Sequence, residues 1–267
     1  MRASRVGAIV LRQGYLISHS VSRIVPLFAW VVVDVVLWGL ITRYLNTFTG
    51  PGYNFVPALL GAVLLWDFLT RVMQGVTMAF FEDVWARNFL NVFATPIRIS
   101  EYVGGLVVSS IATSAVGLVV MLAVATLVFA LPFTTYGMFL GPFLAVLFLF
   151  GIALGIVGIA IVLRLGPAAE WFIWPLPAIL SPFASVFYPV SSLPGWMRVI
   201  ARLLPPSYVF EGMRGIVLRQ GAPTAPLLWG SALALLYVGL ACLLFVRVHR
   251  YAVRTGLIGR YSAETVS

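Results

Sequence analysis

Six stretches of the chain are almost wholly apolar: residues 24–42, 55–81, 102–131, 136–163, 171–190 and 227–246. Each offers about the 20 residues a helix needs to cross roughly 30 Å of hydrocarbon. Interruptions are few. Asp34 falls in the first stretch and Asp67 and Arg71 in the second, while the sixth carries no charge. Alternating segments of about ten residues, the mark of a membrane β-barrel, do not fit, so the pattern predicts six transmembrane helices in an all-α integral membrane protein.

The segments between these stretches have patterns of their own. In residues 1–23, Arg5, Arg12 and His19 recur every seven residues with Arg23 four further on, while Val6, Val10, Ile17 and Val21 take another side. This predicts an N-terminal amphipathic helix lying in the headgroup plane, with a plain basic flank before the first span as the alternative. In the 82–101 loop, Trp85, Phe89, Val92 and Phe93 follow an i, i+4, i+7, i+8 rule, with Glu82, Asp83, Arg87 and Asn91 on other sides. Thr95-Pro96 ends that helix, because proline has no amide donor and clashes with the preceding turn. Such a helix rests on a membrane or fits a partner's groove, and the aromatic density favours the partner. Over 191–224, two short stretches are separated by Pro205-Pro206 and are too polar for a span and too apolar for a free loop, which predicts a re-entrant helical hairpin. The fifth stretch itself holds Pro175, Pro177, Pro182 and Pro189.

Small residues mark where helices approach closely. Gly105, Ser109, Thr113 and Gly117 lie four apart in the third stretch, and Gly137 with Gly141 and Gly151 with Gly155 pair likewise in the fourth. This spacing reports packing in lipid, within or between subunits, not chemistry.

Composition adds a constraint. Of 267 residues, 61% are hydrophobic and 9% charged, and all 17 basic residues are Arg. A phosphate-binding loop needs a Lys on the nucleotide phosphates, so an ordinary ATPase site and Schiff-base chemistry are excluded from this chain. The net charge of +9 is assigned to anionic headgroups rather than nucleic acid, which is not an expected partner. The lone Cys242 excludes internal disulfides, and His19 and His249 have no ligand spacing, so no metal site is expected. With an inside N-terminus, eleven Arg fall on cytoplasmic segments and five on outer ones, which places both termini, including the 247–267 tail, in the cytoplasm. Arg12 and Asp34 break the early apolar run, so a cleavable signal is not expected.

Few residues are candidates for function. Asp34 costs about 2.5–3.5 kcal/mol at a bilayer centre on insertion scales and is flanked one turn either side by Trp30 and Trp38. It either faces a substrate path between aromatic platforms or locks the bundle through an Arg on another helix. Asp67 and Arg71 stand in the favourable i, i+4 order, which reads first as a structural pair and second as part of a proton relay.

Two motifs carry a resemblance. The first is Asn91-Val92-Phe93-Ala94-Thr95-Pro96-Ile97-Arg98-Ile99-Ser100-Glu101-Tyr102. The second is Leu193-Pro194-Gly195-Trp196, followed by Leu203-Leu204-Pro205-Pro206-Ser207-Tyr208 and Glu211-Gly212-Met213-Arg214. In this order, over essentially the whole chain, they resemble the permease subunits of ABC type-2 transporters, exporters of polysaccharides, drugs and lipids; Pro205-Pro206 stands where that family often has Asn-Pro. The resemblance implies a dimer, most simply of this chain with itself, working with two copies of a separate ATP-binding cassette subunit that holds ATP and Mg; this chain carries no cofactor of its own. It implies a multi-pass protein of the bacterial cytoplasmic membrane, in contact with lipid and a transported substrate. It makes the 82–95 helix a coupling helix, with Glu82, Asp83, Trp85, Arg87, Phe89, Val92 and Phe93 facing the ATPase. It makes 191–218 the outer re-entrant element, marked by Pro194, Trp196, Pro205, Pro206, Glu211 and Arg214. Trp30, Asp34, Trp38, Asp67 and Arg71 are the candidates for the substrate path. A proton-driven secondary transporter is the alternative, although no internal repeat is found; a membrane-embedded enzyme comes last, since no Gly-x-Ser-x-Gly turn or zinc motif is present.

Overall fold

The computed structural model describes residues 2–48, 56–86, 91–92, 95–131 and 133–257. Among them every regular element is helical: α1 (Ala3–Ser18), α2 (Val21–Asn46), α3 (Gly61–Trp85), α4 (Ile99–Phe129), α5 (Leu140–Leu165), α6 (Glu170–Ile173), α7 (Leu176–Leu180), α8 (Gly195–Leu203), α9 (Pro205–Val217) and α10 (Thr224–Arg254). A π-helical turn over Val56–Leu60 leads into α3, and a 3₁₀ segment over Phe133–Phe139 leads into α5. Among the described residues, four helical stretches are long and apolar enough to cross a membrane: Ala58–Trp85, Ile99–Phe129, Tyr136–Leu165 and Thr224–Arg254. These make the chain an integral, multi-pass membrane protein.

The differences from the predicted boundaries have physical causes. The second span does not stop at residue 81; α3 runs on to Trp85, so Glu82, Asp83, Val84 and Trp85 form its last turn rather than the start of a separate loop helix. The last span also continues to Arg254, and Arg247, Arg250 and Arg254 lie on α10 instead of a tail. The predicted fifth span is not one helix. Over 171–190 the chain forms the end of α6, then α7, then turns, with Ser185 at φ 54°. Its prolines each remove a backbone donor and clash with the turn before, so no helix longer than five residues survives there. The two short helices predicted beyond it are present as α8 and α9. Pro205 and Pro206 open α9 at positions where the missing amide costs nothing, because the first-turn donors have no partner within the helix.

The core lies between α3 and α5. Glycines on α5 let the backbones approach: a Cβ on Gly151 would fall 2.9 Å from the Leu69 carbonyl oxygen, and one on Gly155 2.8 Å from Val76 Cβ. Phe80, Phe143, Phe150 and Phe210 are fully buried in the same cluster, which α4, α9 and α10 complete. On α4, Gly105 accepts Ile9 of α1, since a Cβ there would lie 2.5 Å from Ile9 Cβ. Among the described residues nothing stands within 4 Å of a Cβ placed on Gly137 or Gly141, so this pair does not pack within the single chain. A smaller cluster of Val35, Leu60, Leu64, Met121, Ala125, Phe129 and Leu131 fastens α2 to the far end of α3 and α4. The bundle thus has two ends. One, the terminal end, gathers α1, the end of α3, the start of α4 and the ends of α5 and α10; the other gathers α8, α9 and the turns beside them.

Gly151→Leu should lower the stability of the purified chain by about 1–3 kcal/mol, because a backbone carbonyl cannot move aside for the new side chain. Gly239→Leu, at a position with nothing within 4 Å, should not. Thermal melting in detergent followed by tryptophan fluorescence measures both.

Candidate transport and coupling site

At the terminal end, three helices meet on one carboxylate. Asp83, 1% exposed in the last turn of α3, accepts a hydrogen bond from Arg12 Nη1 of α1 at 2.9 Å, and Arg12 Nη2 donates to its second oxygen. The hydroxyl of Tyr102, in the first turn of α4, donates to the same carboxylate at 2.6 Å. Two guanidinium bonds and a phenol satisfy a charge that burial alone would make costly. The bond to Asp83, more than its charge at a distance, raises the Arg12 guanidinium above its ordinary range against the opposing effect of burial. Asp83 therefore holds the bundle together and does not lie on an outward face.

Glu101 does related work one turn away. It accepts the backbone amides of Arg2 at 2.8 Å and Arg98 at 3.0 Å, and a bond from Arg5 Nη1 at 3.3 Å. A carboxylate here satisfies unpartnered donors at the starts of both α1 and α4 and sits at the positive end of each helix dipole. The predicted basic stripe of α1 is accordingly redirected: Arg5 and Arg12 turn towards protein carboxylates, and His19 stacks on Tyr15 with ring centroids 6.2 Å apart.

Of the other coupling candidates, Trp85 donates its indole N–H to Glu170 at 2.9 Å, joining the end of α3 to the start of α6. Glu82 is half-buried and Val92 buried. Arg87, Phe89 and Phe93 lie outside the described residues, as does most of the predicted coupling helix; Asn91 and Val92 within it are helical.

The second cluster lies within the bundle. Arg71 Nε donates to Asp67 at 2.9 Å, the i, i+4 pair expected, and Arg71 also acts electrostatically on Asp34 of α2. The stem of Arg71 runs over Gly117 of α4, where a Cβ would stand 3.5 Å from its Cδ. The two tryptophans flanking Asp34 part company. Trp38 stacks on Phe187, with centroids 5.2 Å apart and planes at 15°, whereas Trp30 is exposed. They do not close as a box around Asp34.

At the far end, side chains of α9 complete the backbone that the prolines leave broken. Arg214 donates to the carbonyls of Ser185 at 2.8 Å and Val186 at 3.3 Å and pairs with Glu211 at 3.0 Å. Glu211 in turn accepts the Val190 amide at 2.8 Å. Burial lowers the Arg214 guanidinium from its ordinary range, and the bond to Glu211 opposes this. Pro194 caps α8, and Trp196 meets Phe183 edge-on at 6.0 Å. Pro205 and Pro206 are buried.

A sequence profile described as ABC-2 type transporter matches residues 12–218, which hold all three clusters except Arg2 and Arg5. The chain belongs to the ABC-2 type transporter family. It is the membrane component, the permease, of an ABC transporter. No curated protein matches the chain. Within the family frame, the residues that sequence reading did not join are Arg12, Tyr102, Glu101, Glu170 and Phe187. Glu101 and Tyr102 end the motif that carried the resemblance, but their partners lie as much as 99 positions away. No short-range spacing could have paired them.

Asp83→Ala leaves the Arg12 guanidinium and the Tyr102 hydroxyl without their shared partner. It should cost about 3–5 kcal/mol, the usual penalty for breaking a buried pair. Thermal melting of the detergent-purified permease reads this, and Arg12→Ala with Asp83→Ala together should lose less than the sum of the single changes.

Proposed function

We propose that this permease is the membrane half of an ATP-driven exporter in the bacterial cytoplasmic membrane, with ATP and Mg held by a separate ATP-binding subunit. Two copies of each subunit assemble, and the permease dimer encloses the path between its two halves. The terminal end faces the cytoplasm. The observation that carries this reading is the terminal-end network, in which the flanks of the 82–101 loop are fastened by Asp83 and Glu101 to α1 and by Trp85 to α6. A loop so fastened moves α1, α3, α4 and the region after α5 as one when a partner pushes on it. The absence of Lys supports a second polypeptide as the ATPase.

In this reading six crossings are made by α2, α3, α4, α5, the broken α6–α7 segment and α10. The hairpin of α8 and α9 lies at the outer face, where the Arg214–Glu211 pair supports it. Arg198 and Arg214 are engaged with backbone carbonyls, which accounts for arginines on the side that ordinarily has few. Exposed apolar residues of α2 and α4 such as Leu37, Leu40, Val119 and Leu127 meet lipid or the second copy. The face of α2 carrying Trp30, Asp34 and Trp38, with Asp67 and Arg71 behind it, borders the substrate path.

The test is reconstitution with the ATP-binding subunit in liposomes. Phe89→Asp should detach the ATPase in co-purification or abolish ATP-driven transport. Asp34→Asn with Trp38→Ala should reduce substrate-stimulated ATP hydrolysis while the two subunits stay together. Normal transport with retained co-purification in Phe89→Asp refutes the coupling assignment, and unchanged stimulation in the second variant refutes the path.

A further inference from the structure

The cluster within the bundle carries more negative than positive charge. One guanidinium, Arg71, faces two carboxylates: it bonds Asp67 at 2.9 Å and acts on Asp34 across the α2–α3 contact. Among the described residues no second cation acts on either carboxylate. Arg43, the next on α2, lies nine residues beyond Asp34 with its guanidinium over the Phe129 ring at 5.9 Å. The sole charged residue of α4 is Glu101, at the terminal end. An uncompensated carboxylate inside a bilayer is costly and calls for a positive partner.

A second observation bears on the same place. On α4, Ser110 donates to the Val72 carbonyl at 3.0 Å, and Gly117 lies against the Arg71 stem. Between them on that face stands Ser114, 3% exposed, whose hydroxyl has no hydrogen-bond partner among the described residues. A buried hydroxyl without a partner is expensive unless something else meets it. One turn beyond Asp34, Trp38 and Phe187 stack into a flat apolar wall. Among the described residues no group of three or more His, Cys, Asp or Glu suits a metal ion, so the chemistry favours an organic cation.

We propose that Asp34, Asp67, Arg71 and Ser114 form a binding site for the ammonium group of an amphiphilic substrate. The ammonium takes the carboxylate charge that Arg71 leaves uncompensated and donates to the Ser114 hydroxyl, and the apolar body lies along Trp38 and Phe187. This rests on the reading that the Asp34 face of α2 borders the transport path, and it names the substrate class as amine-bearing amphiphiles.

The full chain in nanodiscs, with empty nanodiscs subtracted, tests it with dansylcadaverine, a fluorescent primary amine, and its neutral N-acetyl derivative. The amine should bind saturably and the acetylated probe should not. Asp34→Asn should weaken amine binding about tenfold or more, as expected when one partner of a desolvated charge pair is removed, and Asp34→Glu should preserve it. Should Asp34→Asn fail to fold, Arg71→Gln serves, and it should tighten binding by freeing the second carboxylate. Equal binding of both probes, an unchanged affinity in Asp34→Asn, or unchanged or weaker binding in Arg71→Gln overturns the site. ATP-driven transport by the assembled complex judges the exporter reading separately: a complex that pumps a neutral compound and ignores the amine overturns the charge site alone.

Discussion

The carboxylate of Asp83 is the point on which the terminal end depends. Buried at the last turn of α3, it accepts bonds from Arg12 of α1 and Tyr102 of α4 and so joins helices that are remote in sequence. Removing it takes from the Arg12 guanidinium and the Tyr102 hydroxyl the carboxylate they share. Its position also explains why α3 extends past the predicted end of its span. The last turn carries the anchor for α1, and a helix ending at residue 81 would have left Asp83 in a loop without fixed direction.

The same economy governs the other charges. Glu101 serves two helix starts at once, Arg71 serves two carboxylates, and Arg214 serves the carbonyls that proline leaves open. In a chain with so few charged residues, these are placed where a backbone or side-chain partner meets them. Packing does the rest. Glycines on α5 draw the α3 backbone close, and Gly105 and Gly117 on α4 admit Ile9 and the Arg71 stem. Together these brace the helices that flank the 82–101 loop.

Much of this was legible in the sequence, for local reasons. The long apolar runs, the helices on either side of Pro205-Pro206 and the Asp67–Arg71 pair each depend on residues within a turn or two. The spacing of Gly151 and Gly155 likewise announced close packing. What was not legible depends on distant partners. Arg5 and Arg12 share a stripe that suits headgroups, and only the fold turns them to Glu101 and Asp83. Trp30 and Trp38 share a helical face with Asp34, yet Phe187, which draws Trp38 aside, comes from a segment 149 positions on. The fifth apolar run had the length of a span, but its prolines outweighed its hydropathy, because a missing donor inside a helix costs about 3 kcal/mol and apolar content does not restore it.

The most direct test of the central claim, that the terminal end receives the ATPase, is site-specific photo-crosslinking in the native membrane. Benzoylphenylalanine in place of Phe89 should yield an adduct that mass spectrometry identifies as an ATP-binding subunit with a phosphate loop. The same group in place of Met138, exposed at the far end, should yield none. An ATPase adduct from position 138, or lipid adducts alone from position 89, would contradict the account.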